Sequence, residues 1–137
     1  MIDLIKAKEL LKNNNYTCVL IKENEIFTSN ERGVKPLLVF LKKGIGENFS
    51  ACDKVVGNGA AYLYVLLRIK ALHALILSKP AKETLEKNKI TVSYEKLVDN
   101  IRNRTDTDIC PMEKAVIGAK NPEDAYNRII EKLKELS

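Results

Sequence analysis

The chain has 137 residues, 45% of them hydrophobic, which suits one globular domain over 1–137 with a core large enough to fold without disulfide or metal staples. Twenty-three Lys and Arg stand against eighteen Asp and Glu, giving a formal net charge of +5 from cations scattered among acids, with only five Tyr and three Phe beside them. This argues against nucleic acid as the principal partner, because such modules join a basic stripe to stacking aromatics. No apolar run is long enough to span a membrane and the start lacks the ordered regions of a signal peptide, so a cytoplasmic protein without a membrane partner is expected.

Met1 to about Lys12 carries Leu4, Ala7, Leu10 and Leu11 at helical spacing, and Asn13-Asn14-Asn15 ends the pattern. Tyr16 to Ile21 and Glu25 to Thr28 read as a β-hairpin across Lys22-Glu23-Asn24. Val34 to Lys43 is apolar along one side, with Pro36 early and Gly44 late, the polarity of helix start and stop signals. Phe49 to Cys52 is short and extended in character. Asp53 then has the chemistry of an N-cap for a helix running to about Arg68.

Ala71 to Leu77 reads as a buried strand, Ala81 to Asn88 as a short helix with Pro80 in its first turn, and Lys89 to Tyr94 as another strand. Glu95 to Asn103 is expected to be helical, Thr105 to Asp108 a turn, and Pro111 to Gly118 a helix. The final helix has the clearest signals: Asn121 to cap it, Pro122 at its first position, and Glu123 and Asp124 opposing the positive end of its dipole. Strands alternating with helices imply a partly parallel sheet covered on both faces.

Asp53-Lys54-Val55-Val56-Gly57, the small residues Ala60-Ala61, Ser78-Lys79-Pro80-Ala81, Asn103-Arg104 and Cys110-Pro111-Met112-Glu113 resemble, in order and spacing, a family of uncharacterised prokaryotic proteins placed in the cytidine-deaminase-like superfamily. The resemblance covers nearly the whole chain. It implies a three-layer α/β/α sandwich with a mixed central sheet and a pocket at helix starts beside the central strands. Where the family form has Lys-Ala after the glycine, this chain has Asn58-Gly59, so no cation stands at 58.

A zinc deaminase needs a histidine and a catalytic glutamate at one helix start and a Pro-Cys-x-x-Cys at another, to hold the metal and manage the proton of its water. Asp53 to Tyr62 contains neither His nor Glu, and Pro80-Ala81-Lys82-Glu83-Thr84 stands where the paired cysteines would follow the strand. The single histidine, His73, lies within a strand pattern without a second ligand nearby and reads as structural or surface. No metal and no cofactor is expected, since the glycine spacing matches neither a P-loop nor a dinucleotide fingerprint.

The remaining polar groups outline a metal-free pocket in the Asp53, Ser78, Asn103 and Cys110 regions. Asp53 and Lys54 offer opposite charges, while Gly57, Asn58 and Gly59 expose backbone to a flat or phosphorylated ligand or, equally, let a helix pack closely on the sheet. Ser78 and Lys79 follow a strand, where open α/β sheets bind ligands. Asn103 and Arg104 suit a carboxylate, a phosphate or a base edge, or serve a helix end.

Three cysteines, Cys18, Cys52 and Cys110, show no CxxC spacing and are expected to be reduced. Cys110, with Glu113 three residues on, reads as a cap-positioned thiol or as a small buried hydrophobe with Glu113 closing the helix start; Cys52 is the second candidate nucleophile. The expectation is therefore a zinc-independent domain binding a small anionic or nucleotide-like ligand. A cysteine-dependent enzyme using Cys110 or Cys52, with Glu113 beside it, and a non-catalytic protein-interaction domain are the alternatives. Self-association stays open.

Overall fold

The computed structural model describes residues 2–137. In chain order it contains α1 (Ile2–Asn13), β1 (Cys18–Lys22), β2 (Glu25–Ser29), α2 (Lys35–Lys43), β3 (Ser50–Val56), α3 (Asn58–Leu67), β4 (Ala71–Ser78), α4 (Lys79–Lys87), β5 (Thr91–Val98), α5 (Pro111–Ala115) and α6 (Pro122–Leu136). The strands form one five-stranded mixed sheet in the order β2-β1-β3-β4-β5. The β1–β2 hairpin and the β1–β3 pair are antiparallel, whereas β3–β4 and β4–β5 are parallel. Parallel neighbours need a crossover, and α3 and α4 supply the two crossovers here.

Helices cover both faces. On one, α1 packs Ala7 and Leu11 against Val19, Ile21 and Cys52. On the other, Leu20, Ala51, Leu72 and Ala74 meet Leu37, Ala61, Tyr64, Leu85 and Ile129 from α2, α3, α4 and α6. The alternation of Ala51 and Cys52, or of Val19 and Leu20, between the two clusters follows from the period-two geometry of a strand.

Most boundaries agree with the sequence signals. Asn121 Oδ1 accepts the Asp124 N–H at 2.8 Å with Pro122 opening α6, and Gly44 closes α2 at φ 71°. Ser78 caps α4 through the Ala81 N–H, so that helix begins at Lys79. The helix expected over Pro111 to Gly118 stops at Ala115.

Two expectations are corrected. Asp53 does not cap a helix: β3 continues through it to Val56, and α3 begins at Asn58 behind an extended Gly57. The β-branched pair Val55-Val56 prolongs the strand, and its partners Ile76 and Leu77 on β4 hold it there. Residues 95–103 are not helical either. The strand β5 runs parallel to β4 as far as the Ser78–Val98 pair, so tertiary pairing overrides the helical leaning of Glu95-Lys96-Leu97. Beyond it, Arg102 and Ile109 form an isolated antiparallel bridge that closes the turn around Asp106.

Candidate functional site

The C-terminal end of β3, the start of α3, the segment before α2 and the stretch 101–113 enclose a cavity of about 410 Å³. That size falls within the roughly 300–1,000 Å³ typical of small-molecule clefts. Its position follows from topology, because segments after the central strands gather at one end of an open sheet.

Asp53 borders the cavity, half-buried, one residue beyond the Cys52 that faces α1. Tyr64 donates its hydroxyl to Asp53 Oδ2 at 2.7 Å, and the Val55 N–H approaches Oδ1 at 3.3 Å. With the phenol proton committed to Asp53, the Cys18 thiol donates to Tyr64 Oη at 3.2 Å, forming a buried relay from β1 through α3 to β3. Burial raises the Asp53 carboxyl to about 7; its bonds from the Tyr64 hydroxyl and the Val55 backbone N–H oppose that rise without cancelling it. Burial, then the charge of Asp53, push both the Tyr64 phenol and the Cys18 thiol well above their ordinary values, so both stay protonated.

Four cations, Arg32, Lys54, Arg102 and Arg104, also border the cavity, and Glu31 adds an exposed acid to Asp53 and Glu113. Arg102 is engaged by Asp106 at 3.0 Å, while Arg32, Lys54 and Arg104 enter none of the ion pairs among the described residues. The cavity therefore presents a protonatable carboxyl together with guanidinium and ammonium groups that are outside any ion pair among the described residues.

Glu113 also borders the cavity, but its oxygens are occupied. It is 3% exposed; Oε1 accepts the Ile101 N–H at 2.8 Å, and Oε2 accepts the Asn58 N–H and, at 3.4 Å, the Ser78 hydroxyl. One carboxylate thus ties the starts of α3 and α4 to the 101–113 segment. Thr84 reinforces the joint by donating to Asn58 Oδ1 at 2.5 Å. The glycines are explained by the same closeness: a Cβ at 57 would lie 3.1 Å from Glu113 Oε2, and one at 59 would lie 3.0 Å from the Met112 carbonyl oxygen. Close packing, rather than an open clamp, accounts for the small residues at this helix start.

Of the residues singled out in the sequence, Asp53, Lys54, Gly57, Gly59, Arg104, Cys110 and Glu113 share the cavity. Ser78 and Asn58 lie behind it in the Glu113 joint. Asn103 folds onto its own turn, accepting from the Thr107 N–H at 3.0 Å and donating to Thr107 Oγ1 at 3.1 Å, so the expected four-way convergence reduces to Asp53 and Cys110. Lys79 points to Asp99 in an exposed pair. Cys52 is fully buried under α1 and raised to about 12, first by burial and then by the charge of Asp53, which removes it as a nucleophile at neutral pH. His73 is buried between strands, with Nδ1 2.7 Å from Ser93 Oγ and Nε2 3.3 Å from Glu95 Oε2; burial lowers its pKa.

Tyr64, Cys18, Arg32 and Arg102 were missed by reasoning from sequence. Tyr64 alone left a signal, as one of two phenols, with Tyr62, in the otherwise apolar run Ala60 to Leu67, where a buried hydroxyl must find a partner.

No curated protein matches the chain. Among solved structures it is similar to a DUF1893 family protein, TM1506, from Thermotoga maritima, with a TM-score of 0.88 and 24% identity over 96% of this chain and 90% of that one. At that identity the likeness speaks to the fold alone. Residues 6–133 match the family described as TM1506, domain of unknown function (DUF1893), and the chain belongs to that family.

Proposed function

We propose that this chain is a zinc-independent, deaminase-like domain that binds a small anionic, nucleotide-like ligand in the cavity beside Asp53. The observation that carries the reading is the cavity itself, walled by a half-buried acid and bordered by Arg32, Lys54 and Arg104, which have no carboxylate partners among the described residues. Such an arrangement orients a molecule with a polar ring at one end and a phosphate or carboxylate at the other. The deaminase-like part of the reading is supported by the parallel β3–β4 pair, whose following helices start side by side.

The residues at those helix starts do not suit zinc. The Asn58 N–H and the Ser78 hydroxyl are hydrogen-bond donors aimed at Glu113, and no cysteine or histidine accompanies them, whereas a zinc site wants three or four lone-pair ligands. No step of the proposed binding runs through a metal.

The cysteine-dependent alternative now rests on Cys110, which borders the cavity half-buried, while Cys18 and Cys52 are sealed in the core.

Thermal unfolding in the presence of millimolar AMP, CMP, GMP and UMP tests the binding reading. At least one should raise the unfolding midpoint, and the rise should shrink with added salt and in Lys54→Ala and Arg104→Ala, since binding to the native state alone stabilises it by mass action. An unchanged midpoint with all four nucleotides would remove the reading.

A further inference from the structure

We propose that a groove between α2 and α6, separate from the cavity, is the contact face of a two-fold dimer in which Lys42 of each chain meets Glu123 of the partner subunit. The helix α3 packs against both α2 and α6, and Leu66 of α3 borders the groove that opens between those two helices. Leu38, Leu41 and Lys42 border it from α2, and Glu123, Tyr126 and Asn127 from α6. Each set has the i, i+3, i+4 spacing that turns three side chains to one face of a helix. None of these residues borders the cavity beside Asp53.

Leu38, Leu41, Leu66 and Tyr126 pack against the core yet stay partly exposed, and Val39, next to Leu38 in the chain, is 44% exposed. A single exposed hydrophobic needs no explanation, whereas several around one groove mark a surface suited to contact. Val39 gives α2 an apolar ridge that can enter the groove of a facing copy, so that two such surfaces interlock instead of meeting across a void.

Charge identifies the occupant. Lys42 on the α2 side and Glu123 on the α6 side are both exposed, and neither enters an ion pair among the described residues. A partner of uniform charge would be attracted by one helix and repelled by the other. A second copy carries the required signs in the required order, because a two-fold axis sets residue i against j and j against i. With the axis between α2 and α6, Lys42 faces Glu123 of the partner subunit at one end of the contact and Glu123 faces the partner's Lys42 at the other. Burial of the leucines and Tyr126 drives the association, while the exposed ion pairs, each worth little alone, select the face and its register.

Sedimentation equilibrium of the full chain, up to about 1 mM, tests the proposal, because self-association follows mass action. The wild type should approach twice the 15.5 kDa of one chain as concentration rises. Lys42→Glu alone sets two acids together at both ends of the contact, and Glu123→Lys alone sets two lysines together, so each should weaken the dimer at least about tenfold. Mixing the two single variants should restore it, since their heterodimer pairs an acid with a lysine at both ends. That restoration distinguishes a contact between chains from a bridge between Lys42 and Glu123 of one chain, which mixing cannot repair. The double variant, Lys42→Glu with Glu123→Lys, should dimerise by itself, a check that stands even if a single variant folds poorly. A mixture that associates no more strongly than its components, or single variants that dimerise as well as the wild type, would overturn the proposal. So would a wild type that stays monomeric throughout, which would leave the groove to a segment of another protein.

Discussion

Two carboxylates share the wall of the cavity and divide its work by how their oxygens are satisfied. Glu113 is nearly inaccessible, yet both oxygens receive backbone N–H groups, from Ile101 and Asn58, and Ser78 adds a hydroxyl. Asp53 is more open, but its support is one phenol and one long backbone contact. Burial with enough donors makes a structural tie, whereas burial with too few leaves an acid in tension with its surroundings and free to act on a ligand. Asp53 and Glu113 look equally promising in the sequence; what separates them is the number of donors the fold brings to each.

The largest effect should come from Glu113→Ala. Removing that carboxylate orphans the Asn58 and Ile101 N–H groups and loosens Ser78 at once. With each buried unsatisfied group costing roughly 1–3 kcal/mol, a loss of roughly 2–6 kcal/mol in urea unfolding is expected. Glu113→Gln, which keeps one acceptor oxygen, should lose less. A loss below about 1 kcal/mol for the alanine variant would mean that water satisfies those donors and that Glu113 is not the tie described here.

How far the sequence reached follows the same division between local and distant causes. The hairpin, the cap of α6 and the Pro-marked start of α4 depend on residues a few positions apart, and each was legible. The continuation of β5 through Glu95-Lys96-Leu97 was not, because the pairing that fixes it comes from β4. Asp53 was legible as a residue of interest but for the wrong reason: its chemistry suits an N-cap, and its place in the middle of β3 depends on strand partners. The relay from Cys18 to Tyr64 and the tie from Asn58 to Glu113 join residues 46 and 55 positions apart, and no local pattern encodes either. Gly57 and Gly59 were visible as a tight place, and only the contact with Glu113 and Met112 shows what they are tight against.

Asp53→Asn should act in the opposite direction to Glu113→Ala, and only at the right pH. The folded-state pKa of Asp53 is raised from 3.8 to about 7, so between those values the native protein holds a proton that the unfolded chain has released. Stability from this group is therefore fully present below about pH 4, falls as pH rises toward 7, and stays reduced above it. At about 1.4 kcal/mol per unit the upper bound on that loss is about 4 kcal/mol, and relaxation or water entry will reduce it. Asparagine carries no such penalty. The variant should match the wild type near pH 4 and exceed it by roughly 1–4 kcal/mol at pH 8 in urea unfolding. A variant less stable than the wild type at pH 8 would show that the ionised carboxylate is well supported, and the contrast with Glu113 would collapse.

The smallest effect sharpens the comparison from outside the cavity. Lys54 and Lys79 were both expected to meet a ligand, and each lies at or just beyond the end of a central strand, Lys54 on β3 and Lys79 after β4. Only Lys54 borders the cavity; Lys79 lies 2.8 Å from Asp99, with both side chains more than half exposed at 62% and 81%. Exposed pairs of this kind are screened by water and salt and hold long side chains at an entropic cost that offsets their attraction. Lys79→Ala should therefore leave both the urea midpoint and the AMP affinity within error of the wild type, in the same titrations where Lys54→Ala weakens AMP. If Lys79→Ala weakened AMP as much as Lys54→Ala, the ligand would have to reach past the Glu113 joint to the start of α4. The cavity would then be only part of a longer groove, and Glu113 would lie beneath the ligand rather than beside it.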